Sequence, residues 1–449
     1  MVFERQVPAG WQESLLGSIA DVVDPHPSHR APEEVEDGVP FAGIGDLSER
    51  GELVNPRVRR VSPQILKEHS SRYSLSRNSI GFGRVATIGK VVDFSGDPPV
   101  IAISPTMAVI EPRSIDRDYL VQALRSRYVR KEIDRLLTGT TRSSLGIELL
   151  RRIHIPVPQD GVPSAIGKIL STVDEAIEGT EKLIAKHQQI KAGLMHDLFT
   201  RGLTADGHLR PPHTEAPHLY KDSPLGPIPM EWEALPLQEL TTKIADRDHT
   251  TPRYVEHGVL MVSPTNLVDD EGIDFDSCKR IPEADHLINR EKTDLQTGDL
   301  ILHRIGAGLG AVRCVTEGMP EFSILHSMAQ IRPLTQRVGS EFLLWAFRQP
   351  ASLSQMGLGT QSIGVPDLGL DKIASIRFPV PDTQEQARIV APLQTVASSL
   401  GQERTNSRKL RSLKRGLMHD LLTGEVDVTV PPESSTESCI PTTEEQAGG

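Results

Sequence analysis

Apolar positions along this chain fall into two recurring patterns. The first is a long stripe at helical spacing: Ile166, Leu170, Val173, Ile177, Ile190, Leu194 and Leu198 lie on one face of a single predicted helix. The same stripe returns at Ile389, Leu393, Val396, Leu400, Leu413, Leu417 and Leu421, displaced by 223 positions. Gly161 and Pro163 stand at the head of the first stripe, and Gly202 and Gly424 close the two, as helix-terminating residues should. A helix from Ser164 to Thr200 would be about 55 Å long at ~1.5 Å per residue. One apolar face on so long a helix needs a partner, and its own repeat is the obvious one. Pairing the two antiparallel predicts a coiled-coil spacer. Glu403 and Ser407 make the centre of the second stripe polar, which leaves the seam open there or filled by another protein. The second pattern consists of short apolar runs broken by Gly and Pro, such as Val100–Ile103 and Asp299–Ile305, with helical stretches at Tyr119–Leu137 and Glu341–Phe347. It predicts mixed α/β domains with a modest, irregular sheet.

The repeat extends beyond the helices. IHIPVP (153–158) matches IRFPVP (376–381), and GLMHDLFT (193–200) matches GLMHDLLT (416–423). Upstream, Trp11 with Leu16 matches Trp232 with Leu237, and GVPFAGIGDL (38–47) matches GVLMVSPTNL (258–267). SPTMAVIEP (104–112) is similar to LHSMAQIRP (325–333), and TGTTRSSLG (138–146) to LGTQSIGVP (358–366). The chain is therefore a variable globular unit followed by a long helix, written twice, as a pseudo-twofold arrangement. The boundaries read as a first unit 1–152, a first helical region 153–203, a Pro- and His-rich linker 204–229, a second unit 230–375, a second helical region 376–426 and a tail 427–449. That tail is acidic and Ser/Thr-rich, the composition of a disordered segment.

Composition adds bounds more than direction. A chain of 449 residues with 37% hydrophobic and 24% charged residues is of ordinary globular composition. It offers no apolar run of roughly 18 residues and no signal-peptide pattern at its start, so it is expected to be cytoplasmic with no membrane partner. Cys278, Cys314 and Cys439 lie far apart and suggest neither a metal site nor a disulfide framework. The net charge of -11 sits oddly with a nucleic-acid binder, but charge is uneven: residues 57–90 hold eight basic residues and a single acidic one, Glu68. Charge by itself argues neither way.

Three apparent catalytic motifs fail on chemistry. FAGIG (41–45) matches the loop of S-adenosylmethionine methyltransferases, and Asp97-Pro98-Pro99 their catalytic segment. The preceding PEEVEDGVP does not read as a buried strand, Val100 stands where an aromatic should stack on an extruded base, and the repeat partner MVSPT lacks both glycines. GRVATIGKV (83–91) has the wrong glycine spacing for a P-loop and Val91 in place of the magnesium-binding hydroxyl. His196-Asp197 and His419-Asp420 are neighbours on a helix, where adjacent residues do not face one another; capping or a subunit contact suits them better than catalysis.

This layout resembles the specificity subunit of type I restriction-modification systems, from about Trp11 to about Val428. The pieces that carry the resemblance are the paired PVP-to-helix junctions, KAGLMHDLFTRGL (191–203) with KRGLMHDLLTGEV (414–426), YKDSPLGPIPMEW (220–232) and TGDLILHRIGAGLG (297–310). The first helix departs from the family's Pro-x-x-x-Glu-Gln start, reading PQDGVPSAI where the second reads PDTQEQARI. The resemblance implies a non-catalytic subunit of a DNA methyltransferase/endonuclease complex with duplicated α/β (α+β) target-recognition domains. Each domain would read one half of an asymmetric, bipartite double-stranded DNA target, with the helices as ruler. Two methyltransferase subunits and two motor-nuclease subunits are the implied partners. S-adenosylmethionine, ATP and Mg would sit on those partners, with no cofactor or metal on this chain. Two other readings are a specificity protein of a methyltransferase-only defence system and a methyltransferase that binds S-adenosylmethionine itself. Candidate DNA contacts are Arg84, Lys90, Thr140, Thr141, Arg142 and Ser143 in the first unit, with Arg304, Thr360, Gln361 and Ser362 in the second. Candidate seam or partner positions are Ile166, Leu170, Val173, Ile177, Leu194, Ile389, Leu393, Val396, Leu400 and Leu417.

Overall fold

The computed structural model describes residues 7, 9–26, 31–137, 144–159, 161–269, 272–358 and 367–429. Contacts divide the chain into two compact units, one of residues 1–181 with 405–449 and one of residues 182–404. This division cuts across the sequence repeat, because each long helix gives one half of its length to each unit.

In the first unit a four-stranded antiparallel sheet runs in the order Ala20–Val23, Met107–Pro112, Ile80–Gly83, Val91–Asp93. A smaller sheet sets Val39–Ala42 between Arg60–Val61 (antiparallel) and Ala102–Ile103 (parallel). Gln12–Leu15 pairs with His154–Val157 and so closes the unit just before the first long helix. Alternation explains the packing of the main sheet. Ile80, Phe82, Ala108 and Ile110 face one core together with Tyr119, Leu120 and Leu124 of the helix Arg117–Arg125. Met107 and Val109 face the other core with Val92 and Phe94. The predicted helix Tyr119–Leu137 is two, Arg117–Arg125 and Arg127–Leu137, interrupted at Ser126, whose backbone is extended (φ -69, ψ 157).

The second unit repeats this plan. Its main sheet runs Thr241–Ala245, Met328–Pro333, Leu300–His303, Val312–Cys314. Its small sheet sets Val259–Val262 between Lys279–Ile281 and Phe322–Ile324. Glu233–Pro236 closes on Arg377–Val380. The predicted run Asp299–Ile305 is the strand Leu300–His303, and Glu341–Phe347 lies in the helix Ser340–Phe347.

The long helices span Val162–Thr200 and Thr383–Leu422. In the first unit Ile166 and Leu170 share a core with Leu421 and Leu422, and the Lys414 ammonium meets Asp174 at 2.5 Å. In the second, Leu198 and Phe199 share a core with Ile389 and Leu393. Within each unit the two helix halves therefore run antiparallel, which is the predicted pairing. The apolar stripe is uneven: Ile166, Leu170, Ile389, Leu393 and Leu400 are buried, while Val173, Ile177, Leu194, Val396 and Leu417 are half-buried. Ile190 and Leu413, which continue the stripe on paper, are exposed. Ser407, read as a polar break, is buried in the first unit.

Residues 204–229, expected as a linker, are folded. Tyr220–Lys221 pairs with Ile228–Pro229, and Ala216, Tyr220 and Ile228 are buried. The linker reading rested on proline density, and here the prolines shape a turn-rich segment that packs instead of a flexible one.

Candidate nucleic-acid interface

Arg84 and Arg304 occupy matching places, each just past the end of a central strand. Both are buried, 7% and 4% exposed. Burial of a guanidinium demands acceptors, and each arginine has them within its own unit. Arg84 donates from Nε to the Leu145 carbonyl at 3.1 Å and forms an ion pair with Asp24 at 3.2 Å. Arg304 meets Asp246 and Asp367 at 2.6 Å each and the Leu368 carbonyl at 3.2 Å. The backbone returns the contact, since Leu145 N–H donates to the Arg84 carbonyl and Leu368 N–H to that of Arg304. The sequence expected both arginines to contact DNA; the structure gives them an internal duty, tying Leu145 and Leu368 to the ends of the central strands. Lys90 is likewise engaged, donating to the Ile44 and Leu47 carbonyls at 3.0 and 2.6 Å. Thr140, Thr141, Arg142, Ser143, Thr360, Gln361 and Ser362 lie outside the described residues.

FAGIG sits at the same end of the first unit. A strand does precede it, Val39–Ala42, contrary to the sequence reading. Its amides are nonetheless used internally: Gly43 N–H donates to Asp46 at 2.8 Å and Ile44 N–H to Thr106 at 3.3 Å. A cavity of about 430 Å³ lies beside them, lined among others by Phe41, Arg59, Ala86, Thr87 and Thr106. Ala86 there holds φ 61, a left-handed conformation uncommon for a residue with a Cβ. Asp97 of the Asp-Pro-Pro segment is exposed and paired with Arg77 at 2.6 Å.

Sequence reasoning missed how the second long helix starts. Glu385 is 2% exposed and accepts four hydrogen bonds: from Leu203 N–H at 2.7 Å, from two nitrogens of Arg210 at 2.5 and 3.1 Å, and from Trp232 Nε1 at 3.1 Å. Gln386 beside it bonds the Arg337 and Pro381 carbonyls and the Gly339 N–H. The Glu-Gln start was visible in the sequence, but what it touches could not be read there. In the first unit the aligned residues are Val162 and Pro163, and Trp11 instead lines a cavity of about 220 Å³ with Pro158, Gln159, Val426 and Val428.

No catalytic constellation forms among the described residues. Burial pushes the Cys278 and Cys314 thiols up to about 11, leaving them protonated and poorly nucleophilic. His419, Asp420 and Glu425 bring ligand atoms within 4.8 Å of one another on an open surface, and His419 already pairs with Glu425 at 3.3 Å. The other histidine pair ends differently, with Asp197 bound to Arg201 at 3.5 Å. No helix among the described residues is long and apolar enough to cross a membrane.

Residues 8–189 match the family model described as the type I restriction modification DNA specificity domain. A curated relative, the type I restriction enzyme MjaVIII specificity subunit of Methanocaldococcus jannaschii, is 24% identical over 439 residues, covering 94% of each chain. The crystal structure of a type I restriction-modification S subunit from M. genitalium has the same fold, with a TM-score of 0.60 at 17% identity, covering 96% of this chain and 99% of that one. Residues 8–189 thus match the type I specificity domain, and along nearly its whole length the chain is similar to type I restriction-modification specificity subunits and shares the fold of one.

Proposed function

We propose that this chain supplies sequence choice to a type I restriction-modification complex, each unit reading one half of an interrupted double-stranded DNA target. It contributes recognition and assembly, and the chemistry belongs to its partners. The observation that carries this reading is the exact reuse of one strand order in both units with different side chains on top. The Asp24–Arg84 pair recurs as Asp246 and Arg304, while the groups beside it change, the Ser104–Thr106 turn in one unit standing where His326–Ser327 stands in the other. One scaffold with two sets of surface groups suits two half-sites of different sequence. Two methyltransferase subunits and two motor-nuclease subunits are the proposed company, with S-adenosylmethionine, ATP and Mg bound by them.

The test is methylome sequencing of a methylation-free host that expresses this chain with its cognate methyltransferase. The expected result is an asymmetric, interrupted motif with modified adenines in both parts. A continuous motif would mean that one unit is silent. If the complex assembles and no motif appears, the reading fails.

A further inference from the structure

Arg247, two residues beyond the strand Thr241–Ala245, is a buried cation without a counter-ion. It is 6% exposed, and its Nη2 donates to the Thr250 hydroxyl at 2.8 Å and carbonyl at 3.3 Å. Its Nε and Nη1 have no hydrogen-bond partner. Among the described residues no carboxylate forms an ion pair with it. Asp248, next in sequence, pairs with Lys292 at 2.5 Å instead. The contrast with Arg304 is informative, since that guanidinium is answered by both Asp246 and Asp367. Burial lowers the pKa of Arg247, and the more distant Tyr254, Asp248 and Asp285 offset it only in part.

The surrounding groups are also short of acceptors. Ser327 Oγ and His326 Nδ1 are buried without partners. His326 lies close enough to Arg247 and Arg304 to feel both charges, and its ring centroid is 4.9 Å from that of His249. The place matters as well. Arg304 anchors Asp367 and Leu368, the residues that follow positions 360–362, where the sequence put its base contacts. Asp248, His249 and Thr250, which follow Arg247, are exposed, so the guanidinium lies directly beneath a solvent-facing stretch of chain.

We propose that Arg247 is a phosphate-binding residue held in reserve, unpaired in the free chain and paired with one backbone phosphate of the second half-site in the DNA complex. The proposal rests on the reading of this chain as a DNA-specificity subunit. A phosphate oxygen supplies the missing acceptors, and a guanidinium fork suits it geometrically. Leaving the cation uncompensated costs the free chain stability, and that cost is what separates this role from a structural one.

The experiment uses the full chain in complex with its methyltransferase and a duplex bearing its target. Arg247→Met keeps the side-chain stem and removes the charge. Its expected signature is a higher thermal midpoint of the DNA-free protein, affinity weaker by about tenfold, and a log–log salt slope reduced by about 1. Target duplexes carrying a single neutral methylphosphonate are then scanned across the second half-site. One position should weaken the wild type and leave Arg247→Met unaffected. Arg247→Lys should keep most of the affinity. A lower midpoint or failure to fold in Arg247→Met, with Arg247→Lys binding no better, would mark a structural residue and overturn the proposal. So would a scan in which no position distinguishes wild type from variant. Loss of all sequence preference in the wild-type complex would instead sink the DNA-specificity reading itself.

Discussion

Cutting the Glu385 clasp should loosen the second unit by a predictable amount. Arg210→Ala removes two of the four donors to a carboxylate that is 2% exposed, leaving Leu203 N–H and Trp232 Nε1. Breaking a buried ion pair from one side typically costs ~3–5 kcal/mol, because the surviving charge stays desolvated. Two remaining donors place this case at the lower end, about 3 kcal/mol. For a folding unit of this size each kcal/mol moves the midpoint by ~2–4 °C, so a fall of about 6–12 °C is expected in the transition of the second unit. Differential scanning calorimetry of the whole chain, with hydrogen exchange over 228–240 to assign the transition, reads it directly. The double variant Arg210→Ala/Glu385→Ala should be less destabilised than the sum of the single changes, with a coupling of about 2 kcal/mol or more. A shift under about 2 °C in Arg210→Ala, or additive single effects, would show that the pair is energetically no more than a surface salt bridge and would refute the argument.

Two further outcomes follow from burial. Leu393→Ala empties a fully buried seam position and should cost about 2–5 kcal/mol, whereas Leu413→Ala, on the same stripe but 52% exposed, should change the midpoint little; equal losses would mean that the stripe packs evenly after all. Burial, then the neighbouring His26, holds His69 below its ordinary 6.5, and burial, then His249 and the nearby arginines, does the same to His326. The unfolded chain therefore takes up protons below about pH 6.5 that the folded chain resists, and stability present above that pH is lost as the pH falls towards the folded values. Thermal midpoints from pH 7.5 to 5.5 should fall, and the fall should shrink in His69→Gln and His326→Gln; a flat profile in the wild type would contradict it.

What the sequence settled by itself was everything carried by periodicity and by repetition. A stripe at helical spacing needs no tertiary information to be seen, and neither does a block such as GLMHDLFT that returns as GLMHDLLT. Both long helices, the duplicated α/β units and the family resemblance were legible for that reason. Tertiary structure decided where charged side chains end up, because that depends on which acceptors arrive from distant parts of the chain. Arg84 and Arg304 look like free cations beside flexible glycines, and become buried ties only when Asp24 or Asp246 and Asp367 fold against them. Arg247 has the opposite history: nothing in its neighbourhood of sequence sets it apart, and its interest lies in partners that never arrive. Segment 204–229 shows the same limit, since its prolines could equally mark a tether or a packed turn until Arg210 meets Glu385, 175 residues away. Local pattern fixes which elements form; solvation of each charge is a global property, settled only once the chain has closed on itself.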